Sequence, residues 1–226
     1  MNTMVGYCRG AMVTGGFCDS LWALGQYDRD HGHNIGQLRS AVGPLIINNR
    51  NSLMVTFLQL DRRAQWLLML DTDIVFPPTL LVQLLAAAEN ADEEVDVLAA
   101  HYNVDRLEGR MSSWTLPRKG KEAGAQLVDI DDPSLDALMP PRTELWELAS
   151  CGMGATLISR RVAEEIGRRY IDDGHRWYAE EDFSAELGLP FLSGEDVGFC
   201  VRVRRWDFKI WGAPFIRVGH LKLKEI

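Results

Sequence analysis

Asp71-Thr72-Asp73 closes a run of five apolar residues, Trp66-Leu67-Leu68-Met69-Leu70, and Pro77-Pro78 follows shortly after. Two carboxylates one residue apart at a strand end can face the same cleft. One can coordinate a divalent cation while the other reaches that cation's water or a ribose hydroxyl. Hard cations such as Mg²⁺ and Mn²⁺ favour these oxygen donors and share them with a diphosphate. The competing view is a polar turn before a proline-started helix, with an Asp as cap, and the tripeptide alone favours that view. Its place behind an apolar strand gives the chemical view its weight.

Three further groups are of the same kind. Arg50-Asn51 lies on a helix upstream, Gly194-Glu195-Asp196 opens another helix, and Gly219-His220 ends the last strand. Each has an ordinary alternative. Arg50 could be an exposed helix residue, and acids at a helix start are stabilised by the macrodipole. His220 alternates with Ile216 and Val218, so it shares their side of a strand and could be buried as readily as ligating. His31, His33, His101 and His175 read as surface or loop residues. Trp146, Trp177 and Tyr178 could stack on a sugar ring, but such side chains more often fill a core.

The elements that must position these groups follow from periodicity. Met4 to Cys8 reads as a strand, Phe17 to Leu24 as a helix, and Asp28 to Gly36 as a polar loop. Leu45 to Ile47 suggests a short strand, and Leu53, Met54, Phe57 and Leu58 form a helical face from Asn51 on. Trp66 to Leu70 has the unbroken apolarity of a central strand covered on both faces. Pro77-Pro78 opens a helix with Leu80, Leu81, Leu84, Leu85 and Ala88 on one face. Val95 to Ala100 is a strand, and residues 105 to 142 form an excursion containing a hairpin. Leu145 to Ala149, a turn at 151–154 and a strand at 155–158 precede a helix capped by Ser159. Asp172 to Leu192 suits a mobile loop, Glu195 to Arg205 a helix, and strands near 208–211 and 215–220 finish the chain. Strands alternating with helices indicate an α/β sheet, and ligands of such sheets sit beyond the carboxyl ends of the strands, where Asp71 and Asp73 fall.

The chain has 226 residues, 46% hydrophobic and 25% charged, with a formal charge of −8. One domain spanning 1–226 with a real core is expected, and the acidity speaks against an extended surface for tracking nucleic acid. The four cysteines form no CxxC pair, so they make no zinc framework and suit reduced thiols and a cytoplasmic setting. The N-terminus lacks a signal-peptide pattern, and no apolar run approaches the ~20 residues of a membrane span.

Taken in order and spacing, the segments around Arg50-Asn51, LLMLDTDIVFPP, CGMGATLISRR, SGEDVGFCVRVRRWDFKIW and VGH resemble the GT-A glycosyltransferases, particularly small bacterial and phage-type members related to family 2. The resemblance covers most of residues 4 to 220. It implies a mostly parallel sheet flanked by helices and transfer of a sugar from a nucleotide-sugar donor, UDP-linked by preference, to an acceptor hydroxyl. By the same resemblance Asp73 would bind the metal, His220 would be a second protein ligand, and Asp71 would contact ribose or support the metal shell. Imidazole suits Mn²⁺ better than Mg²⁺. Asp196 would be the general base of an inverting mechanism, or would orient substrate in a retaining one, and Glu195 would bind sugar hydroxyls. Arg50 would face a phosphate or sugar. Gly152 and Gly154 would let backbone approach the donor or acceptor, and Arg9 would contact the nucleotide. The acceptor is left open between a protein, a glycan, a small molecule and a modified DNA base. A nucleotidyltransferase of related architecture is weaker, because no basic residue follows Gly15-Gly16 closely. A non-catalytic nucleotide- or carbohydrate-binding module is the third reading.

Overall fold

A computed structural model describes residues 2–10, 12–60, 62–106, 109–112, 114–117, 125–127, 141–171, 177–179 and 194–221. In chain order the elements are β1 (Thr3–Arg9), α1 (Gly15–His31), β2 (Ile35–Val42), α2 (Ile46–Leu60), β3 (Trp66–Asp71), β4 (Ile74–Val75), α3 (Leu80–Glu89) and β5 (Val97–His101). Short strands follow: β6 (Asn103–Arg106), β7 (Gly109–Ser112), β8 (Trp114–Pro117), β9 (Ala125–Leu127), β10 (Trp146–Leu148) and β11 (Ser150–Cys151). The chain continues through β12 (Ala155–Ser159), α4 (Arg160–Ile171), α5 (Glu195–Arg205), β13 (Ile210–Arg217) and β14 (Gly219–His220).

Seven strands form the central sheet in the order β10-β13-β5-β12-β3-β1-β2. β2, β1, β3, β5 and β13 run one way, while β12 and β10 run the other. The sheet is therefore mostly parallel, as expected. Side-chain alternation explains why β3 is apolar throughout. Leu67 and Met69 join a core with Leu53, Met54 and Phe57 of α2, Val162 and Ile166 of α4, and Phe199 and Val203 of α5. Leu68 and Leu70 face the other way, onto Phe17 and Leu24 of α1 and Leu80, Leu81, Leu84 and Leu85 of α3. A strand covered on both faces needs apolar residues at every position.

Several expectations are corrected. The stretch read as a polar loop from Asp28 begins as the last turn of α1, and the buried Asp28 carboxylate accepts from the Asn34 and Ile35 N–H groups. Those bonds fix the turn into β2, a strand the sequence reading missed. Among the described residues β2 pairs with β1 alone, and most of its side chains are exposed, so selection for apolarity is weak. Leu45 to Ile47 is no strand, because α2 starts at Ile46 and Asn49 holds its first turn by donating from N–H to Leu45 O and from its amide to Gly43 O. The two closing strands are largely one, β13, with β14 set apart.

His101, expected at the surface, is buried at the end of β5, edge-on to Trp114 with ring centroids 5.0 Å apart. Ser159 does cap its helix, accepting from Val162 N–H. The β6–β7 hairpin begins at Asn103, just ahead of the expected excursion, and runs into it. His175 and most of the 172–192 segment lie outside the described residues.

Candidate active site at the carboxyl ends of the strands

The end of β1 and the end of β3 lie side by side, with Cys8 level with Asp71. Asp71 also donates its N–H to Gly154 O at 3.0 Å. The chain then turns through Thr72, whose carbonyl accepts from both the N–H and the hydroxyl of Thr14. Thr14 is in turn the cap of α1, accepting from Phe17 N–H. The start of α1 thereby holds the acidic turn in place.

Asp73 lies just beyond that turn, where β4 begins. β4 pairs antiparallel with β14, His220 opposite Ile74, and Asp73 O accepts from Leu221 N–H. This two-residue ladder delivers His220 to the carboxylate: His220 Nε2 lies 3.1 Å from Asp73 Oδ2. The Asp73 side chain is 45% exposed and the His220 side chain 15%, so the pair is accessible from one side. A cleft of about 480 Å³ opens over it, lined also by Cys8, Thr14, Asp71 and Thr72. A larger groove of about 690 Å³ lies along α4, where Arg168 and Arg169 are paired with Glu165, and it holds none of the expected site residues.

Asp71 makes a different connection. Arg50 Nη2 reaches both its oxygens, at 3.2 and 3.0 Å, while Arg50 Nη1 donates to Glu195 Oε1 at 2.5 Å. Arg50 is buried, so it is neither the exposed helix residue nor a group turned freely to a donor. Its guanidinium ties the end of β3 to the start of α5. Among the described residues no three His, Cys, Asp or Glu side chains gather as metal ligands. Asp71 is accordingly an ion-pair partner here, not a third member of the Asp73–His220 pair.

Asp196 begins the first turn of α5 beside Glu195, and its Oδ1 accepts from Val197 N–H. Burial pushes the Asp196 carboxyl above its ordinary range, Arg50 opposes that shift, and the neighbouring Glu195 adds to it. A carboxyl raised in this way is a better proton acceptor than a solvated one.

The other expected residues divide. Arg9 is exposed at the end of β1 and does not line the cleft, although Cys8 and Gly10 on either side of it do. Gly152 O accepts from Thr156 Oγ1, as a turn would require. Gly154 allows a close approach, but to protein: its N–H donates to the Tyr102 hydroxyl, and an added Cβ would lie 2.8 Å from that oxygen. Gly154→Ala should therefore cost about 1–3 kcal/mol through overpacking. Urea unfolding measures this, and an unchanged midpoint would mean that Tyr102 can step aside. Trp146, Trp177 and Tyr178 are all buried, and Tyr178 stacks on Phe199, so none offers a platform for a sugar.

Tyr102 escaped the sequence reading. It is buried between Gly154 and the site, its ring 5.6 Å from that of His220, and burial drives its hydroxyl well above the ordinary tyrosine range. A Tyr one residue past an apolar strand carries no signal of such a role.

No protein-family model matches the chain, and no curated protein does. Solved structures do. The chain is similar over 100% of its length, and 96% of the other, to A197 from STIV, at 18% identity and a TM-score of 0.54. This likeness is one of fold. A glycosyltransferase involved in the glycosylation of the major capsid of PBCV-1 superposes at a TM-score of 0.45 with 11% identity, covering 99% of this chain and 95% of its own. CMP:2-keto-3-deoxy-manno-octonic acid synthetase complexed with CTP does so at 0.49 with 10% identity, covering 94% and 89%. At those scores neither carries weight for what this chain does.

Proposed function

We propose that the protein is a metal-dependent glycosyltransferase of the GT-A type, acting through one domain on a nucleotide-sugar donor, with UDP-sugars preferred. The observation that carries the reading is the approach of His220 Nε2 to Asp73 Oδ2, 3.1 Å apart beneath a cleft at the strand ends. One carboxylate and one imidazole, both partly accessible, fit a divalent cation that takes its remaining ligands from diphosphate and water. Asp73 and His220 would hold it, and the imidazole favours Mn²⁺ over Mg²⁺. When bound, such an ion supplies Lewis-acid stabilisation to a departing diphosphate.

The chain's own groups account for the other half of the transfer. Asp196 accepts the proton of the acceptor hydroxyl as its oxygen bonds to the anomeric carbon and the bond to the β-phosphate breaks. Its burial favours proton uptake. Glu195 is held by Arg50, which leaves Asp196 as the better base of the two. A reducing, cytoplasmic setting belongs to the same proposal, and the four free cysteines suit it.

Incubation with a panel of UDP-sugars, with and without Mn²⁺, tests the reading. Slow UDP release that needs the metal and stops with chelator is expected. UDP at about 100 times its Kd should also stabilise the fold by about 2.7 kcal/mol when Mn²⁺ is present. Pyrophosphate release from a nucleoside triphosphate would point instead to nucleotidyl transfer. Neither turnover nor a thermal shift with any nucleotide would end the proposal.

A further inference from the structure

Near the start of α2 three consecutive polar residues, Asn49, Arg50 and Asn51, are all buried, and each is committed to a different part of the chain. Asn49 donates to Gly43 O. Asn51 holds the Tyr178 backbone from both sides, donating to its carbonyl at 2.8 Å and accepting from its N–H at 3.1 Å. Between them Arg50 spans Asp71 and Glu195, residues 21 and 145 positions away, with its guanidinium carbon 5.7 Å from the centre of the Tyr178 ring. The amides on either side fix the rotation of α2, and the guanidinium is presented in one orientation.

We propose that Arg50 is a positioning residue: its fork sets the separation between the end of β3, two residues before Asp73, and the start of α5, which carries Asp196. The inference rests on the glycosyltransferase reading, and assigns Arg50 to the alignment of the Asp71–Asp73 turn with Asp196 in place of contact with the donor. Both terminal nitrogens of the fork are already engaged by protein carboxylates, and Nε is buried with no hydrogen-bond partner among the described residues. With its side chain only 5% exposed and absent from the cleft lining, Arg50 turns no N–H toward a donor phosphate while the link holds. A planar fork can bridge two carboxylates in fixed geometry, whereas a lysine ammonium is a single point charge on a flexible stem. Arg50 is also the cation that stands against Asp71, Glu195 and Asp196 together. Without it the start of α5 would be repelled from the strand end by like charges.

Arg50→Lys keeps the charge and loses the fork, and Arg50→Met loses both. Three measurements separate the outcomes: hydrogen exchange at the amides of 195–198, calorimetric binding of UDP with Mn²⁺, and kcat against KM for a UDP-sugar. For Arg50→Lys, exchange in the first turn of α5 should rise roughly tenfold and kcat should fall about 100-fold, as expected for a misplacement near 1 Å, while UDP affinity and donor KM stay within about threefold. A raised donor KM with unchanged kcat would make Arg50 a donor ligand and overturn the inference. Unchanged exchange in Arg50→Lys would overturn it as well. If the parent protein neither binds UDP nor turns over any sugar nucleotide, the glycosyltransferase reading fails separately, and the exchange result still decides whether Arg50 holds α5. Should Arg50→Met fail to fold, Arg50→Lys decides alone.

Discussion

On the proposed function Asp73→Ala should lower donor turnover by roughly 10³-fold or more, because metal assistance to a leaving diphosphate would be worth several kcal/mol and each ~1.4 kcal/mol is a factor of ten. The fold should barely notice. The Asp73 side chain is 45% exposed, and its described side-chain contact is with His220. Surface substitutions of that kind usually change stability by no more than about 0.5 kcal/mol. Calorimetry with Mn²⁺ and UDP should show the loss directly, since UDP binding to the variant would no longer be strengthened by the metal. An Asp73→Ala protein with parental turnover and parental metal dependence would reduce the Asp73–His220 contact to a structural hydrogen bond.

Asp196→Asn should behave differently, losing activity while gaining stability at neutral pH. Removing a general base costs typically 10²–10⁴ in rate, so a drop of roughly 10³-fold in kcat is expected. The stability sign follows from burial, which raises the folded-state pKa of Asp196. The folded protein then binds the proton more tightly than the unfolded chain, and stability falls as pH rises from the unfolded pKa through the folded one. Above that window the ionised carboxylate is at its full disadvantage, and below it the disadvantage is absent. Asparagine cannot ionise and can still accept from Val197 N–H. Its melting temperature should therefore exceed the parent's at pH 7 and approach it in acid. The parental kcat should rise with pH through the raised pKa and then level off. An Asn variant that melts lower at pH 7, or one with undiminished kcat, would remove Asp196 from its role.

Parts of this arrangement were legible because one physical demand dominated them. β3 must be apolar on both faces, so Trp66 to Leu70 announces a central strand, and Asp71 and Asp73 then fall at its carboxyl end. The α5 start was legible for the same reason as any helix start, from Gly194 followed by two acids. β2 was hidden because an edge strand is released from that demand. Arg50 was visible as a residue but not as a link, since nothing local reports a bond across 145 positions. The glycines at 152 and 154 marked a turn correctly, yet the side chain filling the space beside Gly154 belongs to Tyr102, whose position no periodicity signals. His220 lay at the edge of legibility: the chain position was evident, and the partner depended on a two-residue ladder too short to be read from its pattern.

That ladder has a consequence for the newly made chain. Asp73 and His220 are 147 positions apart, so a ribosome adding about 5–20 residues per second emits the second roughly 7 to 30 s after the first. During that interval β1, β2 and β3 can already be in register, while Asp73 still awaits His220. In the proposed site the nascent protein would gain its hold on a cation in a single late event, when residues 219–220 dock on 74–75.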